Sequence, residues 1–195
     1  MLGWTVSTWS TQTCRPALVL GSTQPDTDAD AAACATAGVE VARRRSGGGA
    51  VLVGPHECAW IDVLVPRGDP LWDDDVGRAT WWLGDVWVAT VSSVGIDGCQ
   101  VHRGGMVPSA WSKVVCFAGL GPGEVIDAAG AKVAGVSQRR TRAMARFQCA
   151  VPRRWDPEHL SRLLAARPPA GEIAGVHPVV ADPATVVDAF LAALP

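Results

Sequence analysis

The sequence predicts an α+β domain with a mixed or mostly antiparallel β-sheet packed against helices. Short apolar runs typical of strands are mixed with longer amphipathic stretches typical of helices, and no regular strand–helix–strand alternation connects them. The chain has 195 residues, which suits one domain, and 48% of them are hydrophobic, enough to bury a core. We therefore expect residues 1–195 to fold as a single domain.

The first half of the chain contains three strand signals and two helix signals. Strands are predicted over residues 16–21, 39–43 and 59–65, where short apolar or alternating runs end at Gly, Arg or Pro. An alanine-rich helix is predicted over residues 26–37, with Asp26 or Asp28 as its cap and Gly38 as its end. A longer amphipathic helix is predicted over residues 76–91.

The second half adds four strands and two short helices. Strands are predicted over residues 114–118, 124–126, 132–137 and 146–151, the last two paired as a hairpin. The two closing helices begin at Asp156-Pro157 and Asp182-Pro183, because Asp caps a helix and Pro suits its first turn.

Charge and cysteine usage exclude several classes of protein. A net charge of −2 gives no case for binding nucleic acid or a membrane, and no apolar run is long enough to span a bilayer. The N-terminal residues lack the basic and apolar regions of a secretory signal. Six irregularly spaced cysteines show no zinc-ligand spacing, so we expect buried thiols, no metal site and a cytoplasmic protein.

Lysine is rare in this chain, which has fifteen arginines but only Lys113 and Lys132. This bias is typical of a GC-rich genome, in which a site that needs only positive charge becomes arginine. A lysine that persists is then more often one whose compact ammonium cannot be replaced by a guanidinium. Lys132 lies in a recognisable motif, whereas Lys113 lies in none and is interpreted as solvated.

A glycine-rich stretch is the sharpest local feature of the sequence. Residues 43–51 read Arg-Arg-Arg-Ser-Gly-Gly-Gly-Ala-Val. Three consecutive glycines weaken a strand, but they let the backbone come close to a ligand and direct successive N–H groups at an anion. Neither a P-loop nor a dinucleotide fingerprint is present. The stretch predicts an anion-binding loop, and a flexible turn with a solvated basic flank is the alternative.

Three ordered blocks carry a family resemblance. Residues 18–24 resemble a family strand ending in Gly and Gln, residues 43–51 resemble Arg-Arg-x-Ser-Gly-Gly-Gly-Ala-Val, and residues 132–140 resemble Lys-Ile-x-Gly-x-Ala-Gln-Arg. On these blocks the sequence resembles the lipoate–protein ligase family, in a short form without a C-terminal accessory domain. The resemblance implies a catalytic domain similar to those of biotin ligases and class II aminoacyl-tRNA synthetases.

The resemblance also implies a reaction and its site. Such ligases use ATP and Mg²⁺ to activate lipoate, or octanoate, as an acyl-adenylate. They then transfer the acyl group to a lysine of a lipoyl carrier domain of 2-oxoacid dehydrogenases or of the glycine cleavage system. By the motif match, Lys132 would lie at the reacting carbonyl and Arg44 would face the carboxylate or phosphate. The remaining substrate- and ATP-binding positions would be Ser46, Gly47, Gly48, Gly49, Ala50, Gly135, Ser137 and Arg139.

Departures from the family pattern keep two alternatives open. Family members continue after Gly-Gly-Gly-Ala-Val with an aromatic residue and His-Asp, where this chain has Leu-Val-Gly-Pro. They also have an acidic helix before the first matching strand, where residues 1–15 of this chain give no strong helix pattern. One alternative is a cofactor-free octanoyl or lipoyl transferase with a cysteine nucleophile, Cys149 first and Cys116 second, although both look like buried strand residues. The other is an acyl-ligand-binding protein without catalysis.

Overall fold

The computed structural model describes the backbone of residues 5–8 and all of residues 15–195. In this part of the chain nine strands follow one another: β1 (Thr5–Thr8), β2 (Ala17–Leu20), β3 (Glu40–Arg43), β4 (Val51–Val53), β5 (Cys58–Pro66), β6 (Gln100–Val101), β7 (Val125–Ile126), β8 (Lys132–Arg140) and β9 (Met144–Pro152). Four α-helices lie among them: α1 (Ala31–Thr36), α2 (Trp81–Ser93), α3 (Pro157–Arg162) and α4 (Pro183–Ala192).

The strands form two sheets. Six of the described strands make the larger sheet, in the order β1-β5-β9-β8-β7-β6, and every neighbouring pair is antiparallel. The smaller sheet has the order β3-β2-β4, with β2 parallel to β3 and antiparallel to β4. The predicted α+β class with a mixed, mostly antiparallel sheet is confirmed. The sequence before the first matching strand gives no strong helix pattern, and of that segment the structure describes residues 5–8, which form β1.

Predictions that rested on strong local signals are confirmed. Strands β8 and β9 form the expected hairpin, which is longer than predicted and turns at residues 141–143. Asp156 caps α3 by accepting a hydrogen bond from the amide of His159, and Asp182 caps α4 by accepting one from Ala184. Asp-Pro pairs therefore start both helices, as their capping chemistry requires.

The prediction that Asp26 or Asp28 caps α1 is wrong. Asp26 and Asp28 belong to a preceding 3-10 turn, and α1 begins only after Asp30, whose side chain accepts from the amide of Ala33 at 2.9 Å. The backbone amide of Asp30 donates to Leu163 at 2.9 Å. This tertiary contact holds the chain at Asp30 and so decides which of three alternating aspartates becomes the cap.

The strand predicted over residues 114–118 is also wrong. Its second half is a 3-10 turn, Cys116–Ala118, and Val115 forms only an isolated parallel bridge to Ala50. The apolar side chains of this segment are buried on two sides, so its hydrophobicity reflects burial rather than strand pairing. The segment supports the glycine-rich loop, because Gly49 packs directly against Val115 and Cys116.

The two faces of the larger sheet have different chemistry. On one face Ile61 and Phe147 are buried against α2 and α4, and the rings of Trp87 and Phe190 from these helices lie 4.7 Å apart. Helix α2 begins at Trp81 rather than at residue 76. The other face is polar at its centre, where the cross-strand neighbours of β5, β9 and β8 include Asp, Gln, Ser and Arg side chains. Cross-strand neighbours on one face share the same surroundings, so these polar side chains form one cluster. A cleft lined by both sheets opens over this polar face.

Candidate functional site

The glycine-rich loop connects β3 to β4 and packs against the segment around Cys116. A Cβ atom on Gly49 would lie 2.6 Å from the backbone of Val115 and 2.7 Å from the amide nitrogen of Cys116, so this position accepts only glycine without a backbone shift. A Cβ on Gly47 would meet no atom within 4 Å. The third glycine is therefore required by packing, whereas the first borders open space into which a ligand could fit.

Arg44 shapes this loop from inside. Its guanidinium is buried and donates to the carbonyls of Gly47 and Gly49 at 2.6 and 2.8 Å, and to that of Val19 at 3.1 Å. With the carbonyls turned towards Arg44, the amides of Gly47, Gly48 and Gly49 have no backbone acceptor among the described residues. Successive unpaired amides of this kind form an anion-binding concavity. The predicted contact of Arg44 with a carboxylate or phosphate would require these loop bonds to be exchanged.

Two distant motifs meet beside the loop. The hydroxyl oxygens of Ser46 and Ser137, 91 residues apart in sequence, lie 2.9 Å from each other, and Arg139 donates to the carbonyl of Arg45 at 3.3 Å. Ser46 also donates to the Gln148 side chain at 2.8 Å. The glycine block and the distal end of the lysine block are therefore in direct contact.

Asp62 anchors this polar cluster and was missed by the sequence reasoning. It is 2% exposed in β5, and its carboxylate accepts from Trp60 Nε1 at 2.9 Å, from Gln148 Nε2 at 3.2 Å and from Arg146 Nε at 2.8 Å. Burying a carboxylate requires such partners. The available signal was a lone charged residue inside the apolar strand predicted over residues 59–65.

The cleft over the polar face has a volume of about 700 Å³. Its wall carries Arg43, Arg44, Arg45 and Arg146, whereas Asp62 is one of the few acidic side chains that line it. The cleft therefore has a positive balance, which suits an anionic ligand larger than a single phosphate.

Lys132 is buried at the proximal end of β8. The residue is 3% exposed, and its ammonium lies 2.6 Å from Glu124 Oε2 and 3.0 Å from the carbonyl oxygens of Cys116 and Gly119. It also lies 4.8 Å from the centre of the Phe117 ring. An ammonium has three N–H donors, and these three oxygens engage all of them.

The structure does not bring the Lys132 ammonium and the glycine amides into one cavity. Lys132 lines a separate cavity of about 210 Å³, which contains none of the three glycines. Cys116 is the neighbour that both share, because Gly49 packs on its amide and Lys132 donates to its carbonyl. The ammonium and the loop therefore contact opposite ends of the same residue, Cys116, its carbonyl and its amide respectively.

The two other predicted positions have different surroundings. Ala50 is buried, and its amide and carbonyl bond to Val114 and Cys116, which is a structural role. Gly135 lies beside Ser137 and Cys116 in a small cavity of about 10 Å³. A Cβ at Gly135 would lie 3.2 Å from the Phe117 ring.

The cysteines differ sharply in access. Cys149 is 0% exposed, and burial raises the pKa of its thiol to about 12. This corrects the choice of Cys149 as the first candidate nucleophile, because a nucleophilic thiol needs exposure and a low pKa. Cys116 is partly exposed, and its sulfur lies 3.9 Å from a guanidinium nitrogen of Arg44.

Alkylation of the native protein tests this difference. Iodoacetamide at pH 8 is expected to modify Cys116 and to leave Cys149 unmodified, because only the former is accessible. Peptide mass mapping would locate the adducts, with Cys99, also partly exposed, as the positive control. Modification of native Cys149 at the rate of Cys99 would contradict the assignment.

Among residues 5–8 and 15–195, no three His, Cys, Asp or Glu side chains converge as a metal site. The described helices include none with the length and hydrophobicity needed to cross a membrane.

The chain is similar in structure to lipoate–protein ligases. A candidate lipoate protein ligase from T. acidophilum with bound lipoic acid has a TM-score of 0.70 at 16% identity, and the match covers 91% of this chain and 66% of that one. A lipoate-protein ligase A bound with ATP gives 0.71 at 18% identity, covering 91% and 67%. LipL1 of P. falciparum in complex with lipoate gives 0.65 at 12% identity, covering 99% and 47%.

These structural similarities establish the fold, which agrees with the predicted fold. This chain spans about two thirds of the first relative's length. No curated protein matches the sequence at a significant level. The family model described as the lipoyl protein ligase A/B catalytic domain matches residues 7–194. Since that match extends over nearly the whole sequence, the chain belongs to the lipoyl protein ligase A/B catalytic domain family.

Proposed function

We propose that the chain is an ATP-dependent ligase that attaches lipoate, or octanoate, to a lipoyl carrier domain. One observation carries the proposal: the glycine and lysine motifs meet at Ser46 and Ser137, beside an arginine-lined cleft and loop amides that have no acceptor among the described residues. The relatives with bound ATP and bound lipoate support these two substrates.

The proposed reaction has two steps. A carboxylate oxygen of the acyl substrate attacks the α-phosphorus of ATP, which forms an acyl–phosphate bond and releases pyrophosphate. The amine of the carrier lysine then attacks the acyl carbonyl carbon, which forms an amide and releases AMP and a proton. The first step brings two anions together, so fixed amide dipoles and guanidinium groups would offset their repulsion.

Lys132 would take part by exchanging its present partners. Because Lys132 lines a cavity separate from the glycine loop, this requires the ammonium to leave Glu124 and the two carbonyls and turn towards substrate oxygens at the loop. There it would stabilise the charge that develops at the acyl–phosphate junction. An arginine retains the charge but presents a planar fork that does not match three converging oxygens.

Mg²⁺ would enter the site together with ATP. Magnesium is commonly bound by substrate phosphates with one or two carboxylates and several waters. The described residues offer no dedicated cage, and the oxygens of Asp62 already accept from protein donors. The ion would supply positive charge to the triphosphate, and the chain's own arginines and amides would supply the rest.

Mass spectrometry of a purified lipoyl carrier domain tests the proposal. Incubation with this protein, ATP, Mg²⁺ and lipoate is expected to add one lipoyl group per carrier and to release pyrophosphate. Omission of ATP, and a carrier whose acceptor lysine is arginine, are the controls. An unmodified carrier after complete incubation with lipoate and with octanoate would refute the ligase assignment.

A cofactor-free transferase is the second candidate, and the position of Cys116 favours it. Its partly exposed sulfur faces Arg44 and lies 3.5 Å from where a Cβ of Gly48 would be, next to the loop amides. A thiol beside a fixed positive charge is the usual setting of a reactive cysteine. Acyl transfer between carriers without ATP, abolished in Cys116→Ser, would establish this function in place of the ligase.

A further inference from the structure

A chain of hydrogen bonds links Asp62 to the edge of the candidate site, and the donor and acceptor of each bond are fixed. The Asp62 carboxylate only accepts, so the nearby amide of Gln148 must point its nitrogen towards it, at 3.2 Å. The amide oxygen of Gln148 then faces Ser46, which donates to it at 2.8 Å. The reversed amide would set oxygen against carboxylate and is excluded.

The next link fixes the direction of the Ser137 hydroxyl. A serine has one hydroxyl proton. Ser46 gives its proton to Gln148, so at 2.9 Å it can only accept from Ser137. The alternative acceptor for Ser137, the backbone oxygen of Gln148 at 3.3 Å, also lies inside the protein. In either case Ser137 donates its hydroxyl proton to a group inside the protein. Its oxygen can therefore only accept a hydrogen bond from a ligand.

Ser137 borders a small cavity. It is partly exposed and lines the cavity of about 10 Å³ together with Gly135, Cys116 and Arg44. A cavity of that size holds about one water-sized group. The position therefore suits a single small donor, such as an amine, and disfavours a carbonyl or phosphate oxygen, which has no proton to donate.

We propose that Ser137 binds the amine of the carrier's acceptor lysine, with Asp62 as the positioning residue that sets the polarity of Ser137 through Gln148 and Ser46. This inference rests on the proposed function, in which the carboxylate, phosphates and acyl carbonyl are acceptors and the lysine nitrogen is a donor. It assigns the lysine-binding position to β8, on the face shared with the glycine loop.

A double-mutant cycle on carrier binding tests the contact directly. Isothermal titration would compare the protein and its Ser137→Ala variant against a lipoyl carrier domain and against the same domain with its acceptor lysine changed to methionine. Loss of a hydrogen bond to a charged group is expected to weaken binding of the lysine carrier about tenfold. Binding of the methionine carrier is expected to change by less than about twofold. Equal effects on both carriers, or none, would overturn the assignment.

Two further variants separate polarity from packing. Ser137→Thr keeps the hydroxyl and should retain the full coupling to the acceptor lysine. Asp62→Asn allows the Gln148 amide to turn and should abolish that coupling, whereas a merely structural effect would weaken both carriers alike. If Ser137→Ala instead weakens ATP binding about tenfold, the bound donor is a ribose hydroxyl and the lysine assignment fails.

The outcomes also separate this inference from the proposed function. If the protein binds and acylates the carrier but shows no coupling between Ser137 and the acceptor lysine, the proposed function stands and the role of Ser137 is refuted. A protein that neither binds nor acylates a carrier would lose both.

Discussion

Replacing Lys132 with methionine is expected to lower the free energy of unfolding by about 3 kcal/mol, because the change leaves a buried charge without its counter-ion. Glu124 is buried and lies 2.6 Å from the Lys132 ammonium. Its remaining partners are the backbone amides of Gly121 and Val136, at 2.6 and 3.2 Å. These amides reduce the loss of stability but do not neutralise the carboxylate. Urea denaturation of the purified variant would measure the change.

A second substitution separates stability from chemistry. Lys132→Met combined with Glu124→Gln removes both charges, so most of the lost stability should return. Under the proposed function, carrier acylation should stay absent in the double variant and in Lys132→Arg. A Lys132→Met protein as stable as the original would show that the ion pair does not form. An active double variant would remove Lys132 from the reaction.

Gly49→Ala is expected to have the other large effect, lowering stability by about 3 kcal/mol through overpacking. The added methyl carbon would lie 2.6 Å from backbone atoms of Val115, and backbone cannot rotate away as a flexible side chain can. Thermal unfolding, followed by circular dichroism, would measure the loss.

Gly47→Ala is the matched control. The same methyl group at Gly47 meets no atom within 4 Å, so its unfolding temperature should stay close to that of the parent protein. Under the proposed function it should still impair acylation, because the methyl enters the space left for the ligand. Equal unfolding temperatures for Gly47→Ala and Gly49→Ala would contradict the described packing of the loop.

Helix starts could be predicted from the sequence where a single local signal, an Asp-Pro pair, determines them. Asp-Pro pairs at residues 156–157 and 182–183 correctly mark helix starts, since cap and first turn lie within four residues. Which of Asp26, Asp28 and Asp30 caps α1 could not be predicted from the sequence, because it depends on a backbone contact with Leu163. The apolar segment 114–118 misled for a related reason, since burial on two sides produces the same pattern as a strand.

The candidate site was partly predictable. The motifs identified the glycine loop and β8, and Ser46 and Ser137 do meet. Asp62 stood out only as a lone charge in an apolar strand, and its partner could not be predicted, because their contact depends on cross-strand pairing with Gln148, 86 residues away. The pairing of Lys132 with Glu124 could not be predicted either, since it is a tertiary contact between β8 and the residue before β7, where the strand register is irregular.

The guanidinium inside the glycine loop affects how tightly a ligand can be held. Three glycines in a row have the greatest conformational freedom of any tripeptide, and a loose loop would have to be ordered each time a ligand arrives. Arg44 restrains the first and third of them through their carbonyls before any ligand is present. That ordering entropy is therefore lost during folding, and the binding energy of an incoming anion need not compensate for it.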